Sequence, residues 1–175
     1  KGLVFCSSKQ EAKALSDEFN KRGYKTTSLT GEDSQERRER EVERLVADSG
    51  DVLDYIFTVD IFNEGVDIPE VNQVVMLRPT QSAIVFIQQL GRGLRKSKDK
   101  DFVVIIDFIA NYKNNFLIPV ALSGDNSYDK DTVRKFLSQG TRYLPGTSTI
   151  HFDEISKQRI YSAIDNVKLN TWIFV

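Results

Sequence analysis

A chain of 175 residues is long enough for one domain with a real core, or for one domain and an extension, and 40% hydrophobic with 28% charged residues is an ordinary globular balance. No apolar run approaches the roughly 20 residues of a membrane helix, no signal peptide opens the chain, and one cysteine excludes an internal disulfide framework, so a cytoplasmic, reducing compartment is expected. A net charge of −1 excludes a wholly basic nucleic-acid binder, although Arg92, Arg95, Lys96, Lys98 and Lys100 face only Asp99 and Asp101 in one short segment.

The chain opens directly on a strand-like run, as an excised piece of a longer protein would. Leu3 to Cys6 reads as a buried parallel strand. Ser8 with Glu11 makes a capping box that opens a helix to about Arg22, with Ala12, Leu15 and Phe19 on one face and Gly23 at its end. Lys25 to Leu29 is the second strand. Asp33 with Glu36 predicts a second capping box and a charged helix to about Ala47 that buries only Val42, Leu45 and Val46. Val52 to Phe57, Gln73 to Leu77 and Phe102 to Ile106 are the remaining strands. Between the last two, Ser82 to Leu90 reads as a helix with Ile84, Ile87 and Leu90 inward.

Beyond Asp107 the pattern loosens. Thr132 to Ser138 reads as a helix, Ile150 and Phe152 as a short strand, and Asp153 to Asp165 as a last helix with Ile155, Ile160 and Ile164 in period. His151 has no second histidine or cysteine for a metal site, Asp153-Glu154 reads as a helix start, and Trp172, near the terminus, reads as packing or disorder rather than base stacking.

Strands alternating with helices call for parallel pairing and right-handed crossovers. The expected fold is α/β, an open, mostly parallel sheet with helices on both faces and a mainly helical C-terminal extension. In such sheets ligands gather beyond the carboxyl ends of the strands. Ser7 and Ser8, Thr30 and Gly31, and a loop holding Thr58, Gly65 and Asp67 all fall at such ends.

Gln88-Gln89-Leu90-Gly91-Arg92-Gly93-Leu94-Arg95 carries the most chemistry. Two arginines three apart at a helix end project to one side, and Gly91 and Gly93 allow close backbone approach. Arginine keeps its charge and offers a rigid fork of donors, so the pair suits a phosphate chain. Alone, the same residues also fit a solvated basic helix end.

Three stretches in order resolve this. Gly2 to Ser8, Thr58 to Pro69 (TVDIFNEGVDIP) and Gln88 to Arg95 (Q-x-x-G-R-x-x-R) resemble motifs IV, V and VI of the second RecA-like domain of superfamily 2 helicases and translocases. The resemblance covers about residues 1–110 and implies a RecA-like motor domain there, with 111–175 as an extension. It implies that Arg95 and Arg92 act as arginine fingers on the γ-phosphate of ATP, with Gln88 orienting phosphates or the attacking water. Gly65 and Asp67 would meet the ribose, and Ser7, Ser8, Thr30, Gly31 and Thr58 the backbone of a nucleic-acid strand.

No glycine here is followed by lysine, so no phosphate loop of the G-x-x-x-x-G-K-[ST] kind is present. The resemblance therefore assigns that loop and the Mg2+ to an upstream RecA-like domain. Phe62-Asn63-Glu64 departs from the DEAD-box wording and favours DNA over RNA as partner, in the manner of restriction and repair enzymes. Two other readings compete: a non-catalytic α/β domain binding nucleic acid or protein, and a flavodoxin-like regulatory domain. The first is disfavoured by the intact Gln88, Gly91, Arg92 and Arg95, the second by the lack of a glycine-rich loop after the first strand.

Overall fold

The structure, a computed structural model, describes residues 1–59, 61, 68–78, 100–108, 117–123, 129–139 and 150–166. The chain divides into two compact units, Lys1–Pro79 with Gln88–Phe108 and Thr80–Ile87 with Ile109–Val175.

The first unit is built on five parallel strands, β1 (Gly2–Phe5), β2 (Thr26–Thr30), β3 (Tyr55–Val59), β4 (Gln73–Met76) and β5 (Val104–Asp107), in the order β2-β3-β1-β4-β5. Helix α1 (Lys9–Lys21) joins β1 to β2, and α2 (Gln35–Val46) joins β2 to β3. These two crossovers run in opposite directions along the sheet, so right-handedness puts the helices on opposite faces. On the α1 face, Ala12 packs with Val4, Cys6, Phe57 and Val59, flanked by Leu15, Phe19, Tyr55, Val75 and Leu77. The other face buries Leu3, Phe5, Leu29, Ile56, Val74 and Met76. Burial on both faces is why the inner strands are apolar without alternation.

Phe19 sits edge-on to Phe57, with ring centroids 5.2 Å apart, and to Tyr55 at 5.9 Å. The Tyr55 ring lies over Gly2, where an added Cβ would come within 2.4 Å of a ring carbon. A side chain at Gly2 would displace the ring that carries the Tyr55 hydroxyl to Gln73 Oε1 at 2.6 Å.

Several local expectations are corrected. The Val52 to Phe57 strand starts instead at Tyr55, because Leu53 N–H donates to Arg44 O and Asp54 N–H to Lys25 O, which ties residues 53 and 54 to their neighbours in the fold. Helix α2 is capped by Ser34, whose hydroxyl accepts Arg37 N–H, and not by Asp33. The Asp33 carboxylate turns back to accept Thr30 N–H at 2.7 Å. Glu41, not Val42 or Val46, joins Leu45 in the buried set of α2, and its carboxylate is met by Arg40 and Arg44. Arg44 also reaches Asp51 at 2.9 Å, which fastens α2 to the approach of β3. The α1 face of Ala12, Leu15 and Phe19 holds as expected, Leu15 and Phe19 half-buried against the Ala12 cluster, and Ser16 joins the buried set, bonded to Thr26 Oγ1 at 2.8 Å. β5 leaves Val104, Ile106 and Phe108 exposed along one face. The helix expected over Ser82 to Leu90 lies outside the described residues.

The second unit holds α3 (Leu117–Ser123), α4 (Lys130–Gln139) and α5 (Glu154–Asn166), with α4 packed on both others. α3 was not visible in the sequence pattern; its Pro119 falls in the first turn, where a missing N–H costs nothing. Val133, Phe136 and Leu137 of α4 are buried, and Phe136 meets Phe152 with centroids 6.5 Å apart. No strand forms at Ile150 and Phe152; Phe152 is instead a core anchor just ahead of α5. Asp153 caps α5 by accepting Ser156 N–H at 2.9 Å. Ile160 and Ile164 are buried as expected, but Ile155 is exposed and Ser156 takes the inward place.

Candidate functional site

The carboxyl ends of β1 and β2 carry four of the expected contact residues. At the end of β1, Cys6 is buried and its N–H donates to Thr58 O at 2.8 Å. Ser7 and Ser8 follow in the open. Ser8 caps α1, its Oγ accepting Glu11 N–H at 3.1 Å. Glu11 reaches back one residue further than a capping box requires and accepts Ser7 N–H at 2.6 Å. A helix leaves its first N–H groups without internal acceptors. Those of Lys9 and Gln10, both exposed, have no acceptor among the described residues.

At the end of β2, Asp33 N–H donates to Thr30 O at 3.2 Å, closing a tight turn over Gly31 and Glu32. The Thr30 hydroxyl lies between the Asp33 carboxylate and Glu32 N–H, both at 3.3 Å. Gly31 is exposed and has open space on its Cβ side. Its carbonyl accepts Arg38 Nη2 at 2.7 Å. Arg38 is half-buried, and its Nε is buried with no hydrogen-bond partner among the described residues. That places a guanidinium beside Gly31, its Nη2 held by the Gly31 carbonyl.

Lys9 Nζ is paired with the Glu32 carboxylate, so the start of α1 meets the loop after β2 although β3 lies between β1 and β2. Lys9, Glu32 and Arg38 were not singled out from sequence. For Arg38 a signal existed: it stands four residues after the Ser34 cap, one helical turn from the Gly31 loop.

Thr58 is corrected in its placement. It lies inside β3, in register with Phe5 and Leu29, and is fully buried. Its hydroxyl donates to Ile61 O at 3.5 Å, so it faces the start of the following loop and not solvent. Gly65, Asp67, Gln88, Arg92 and Arg95 lie outside the described residues. Among the described residues no cluster of three or more His, Cys, Asp or Glu side chains is placed to hold a metal ion, and no helix is long and apolar enough to cross a membrane.

The helicase conserved C-terminal domain family matches residues 1–97, more than half of the chain, and the chain belongs to it. It has the RecA-like fold of the second domain of superfamily 2 helicases. Among its relatives is IRC3 of Saccharomyces cerevisiae, whose name marks it as a candidate ATP-dependent helicase, 34% identical over 107 residues covering 61% of this chain. The yeast DEAD-box splicing factor Prp28 superposes over 96% of this chain and 32% of its own, with a TM-score of 0.61 at 21% identity, a likeness of fold. A fragment of a candidate HsdR subunit of a type I restriction enzyme from Vibrio vulnificus covers 62% of this chain and 23% of its own, with a TM-score of 0.52 at 25% identity. The chain spans only 15% of the length of IRC3.

Proposed function

We propose that this chain is the second motor domain of an ATP-dependent helicase or translocase. The carrying observation is the family match over residues 1–97, a span that includes Gln88, Arg92 and Arg95 as well as the loops after β1 and β2. Residues 1–110 are the motor domain in this reading and 111–175 an extension. ATP supplies the phosphoryl group, and an upstream RecA-like domain of the same polypeptide holds its Mg2+ and cradles its phosphates. Arg95, with Arg92 beside it, stabilises charge on the transferring group, Gln88 orients phosphates or water, and Gly65 with Asp67 receives the ribose. Two guanidiniums and an amide, all donors, suit the chemistry of a triphosphate.

The nucleic-acid strand is proposed to run over the carboxyl ends of β1 and β2. There Ser7, Ser8, Thr30 and Gly31 offer hydroxyl and N–H donors of the kind that hold phosphates without reading sequence, and Arg38 adds a charge. Thr58 acts from beneath, fixing the start of the loop after β3. DNA is the proposed strand, supported by the Phe62-Asn63-Glu64 wording and the likeness to the HsdR fragment.

Arginine fingers act mainly in the transition state. In the full-length parent, Arg95→Ala should lower kcat on the order of 10³- to 10⁵-fold while ATP still binds. Arg95→Lys should rescue little, because an ammonium lacks the planar fork. Turnover by Arg95→Ala close to that of the parent would remove this motif from the motor. Running the assay with single-stranded DNA, double-stranded DNA and RNA identifies the stimulating strand.

A further inference from the structure

We propose that Lys9 is a phosphate contact of the nucleic-acid surface and that Glu32 is its internal stand-in, a carboxylate occupying the ammonium until a phosphate displaces it. This inference rests on the proposed nucleic-acid reading and adds to it the residues that set affinity. Lys9 stands next to Ser8 at the start of α1, and Glu32 next to Gly31, so their ion pair spans the two loops that carry the proposed contacts. The two side chains are 53% and 77% exposed.

An ion pair this open is screened by water and salt and contributes little to folding. Neither side chain has another ion pair among the described residues. An ammonium so placed, beside two helix N–H groups lacking acceptors, suits an oxyanion arriving from solvent. A phosphate oxygen can replace the Glu32 carboxylate one for one. The displaced carboxylate then remains near the strand and repels it. The pair thus lowers affinity without removing the contact, as suits a motor surface that must release its strand.

The test is fluorescence anisotropy of the 175-residue chain with a fluorescein-labelled oligothymidylate over a series of salt concentrations, with folding of each variant checked by circular dichroism. Glu32→Gln should bind about two- to fivefold tighter, the range an exposed ion pair accounts for. Lys9→Gln should bind more weakly, with a salt slope shallower by about 0.7, one phosphate contact on a single strand. In the double variant, Glu32→Gln should tighten binding less than it does alone, because the competition for Lys9 is gone and only the repulsion remains.

Gly31→Asp, which the open space around Gly31 accommodates, is the control on the surface itself. If Gly31→Asp weakens binding while Glu32→Gln and Lys9→Gln match the unaltered chain, the inference is overturned and the surface stands. If Glu32→Gln weakens binding as Lys9→Gln does, the pair is a brace between loops and the inference is overturned. If the unaltered chain does not bind, or Gly31→Asp has no effect, the nucleic-acid reading of this edge fails and the inference fails with it.

Discussion

Cys6 shows how one position is set by its surroundings. It follows β1 at the carboxyl edge, yet it points into the α1 face and is fully buried, with Sγ 3.8 Å from Val4 O. Burial first, then the Glu11 carboxylate, push its thiol up to about 12, against a lowering by the Thr58 backbone. A thiol raised in the folded state stabilises the fold fully below its unfolded value of 9.0, and that contribution drains away as pH rises from there toward about 12. Urea midpoints should therefore show no pH dependence from Cys6 below pH 9 and a decline above it that Cys6→Ala does not share. Iodoacetamide at pH 8 should label Cys6 only as fast as the chain opens, since the thiolate is the nucleophile. Rapid labelling of the folded chain would contradict this burial.

At the scale of elements, the turn into α2 separates two candidate caps that stand side by side in sequence. Asp33 and Ser34 are both good N-cap residues. The strand end decides between them: Thr30 N–H needs an acceptor where β2 stops, and Asp33 supplies it. Ser34 is left to cap α2. Ser34→Ala should cost about 1 kcal/mol by urea denaturation. Asp33→Ala should cost a similar ~1 kcal/mol through the half-buried Thr30 donor it strands, and it should loosen the Gly31 turn, seen as faster hydrogen exchange at Thr30. Equal exchange at Thr30 in both variants would mean the turn does not depend on Asp33. The same helix holds Glu41, a carboxylate buried only because Arg40 and Arg44 meet it. In sequence Glu41 is one more charge in a charged helix, which is why its burial was not anticipated.

For the whole molecule, the sheet order places β1 beside β4, and the chain leaves these two strands in opposite directions, toward β2 and toward β5. A switch of this kind opens a crevice at the carboxyl ends of the strands. The chain nevertheless lacks a phosphate loop, and no metal-binding cluster occurs among its described residues. Purified alone, it should bind ATP weakly and not hydrolyse it. A coupled phosphate-release assay checks this, and turnover that scales with chain concentration and is lost in Arg95→Ala would overturn it.

In the first unit the sequence by itself determined the types of the described elements, the parallel sheet and the strand ends where Ser7, Ser8, Thr30 and Gly31 stand; in the second it missed α3 and read a strand at Ile150 and Phe152 that does not form. Hydrophobic periodicity, capping residues and the crossover rule are properties of short stretches and of chain connectivity. It also carried the three motifs through which the family was legible. Only the tertiary structure decided that Thr58 is sealed inside β3, that Glu41 is buried, and that β5 leaves Val104, Ile106 and Phe108 exposed. It alone brought Lys9 at the start of α1 against Glu32 in the loop after β2, 23 residues apart in the chain and following strands that do not touch. Such contacts follow from which strand lies beside which and from the side-chain register across the sheet, and no local pattern records either.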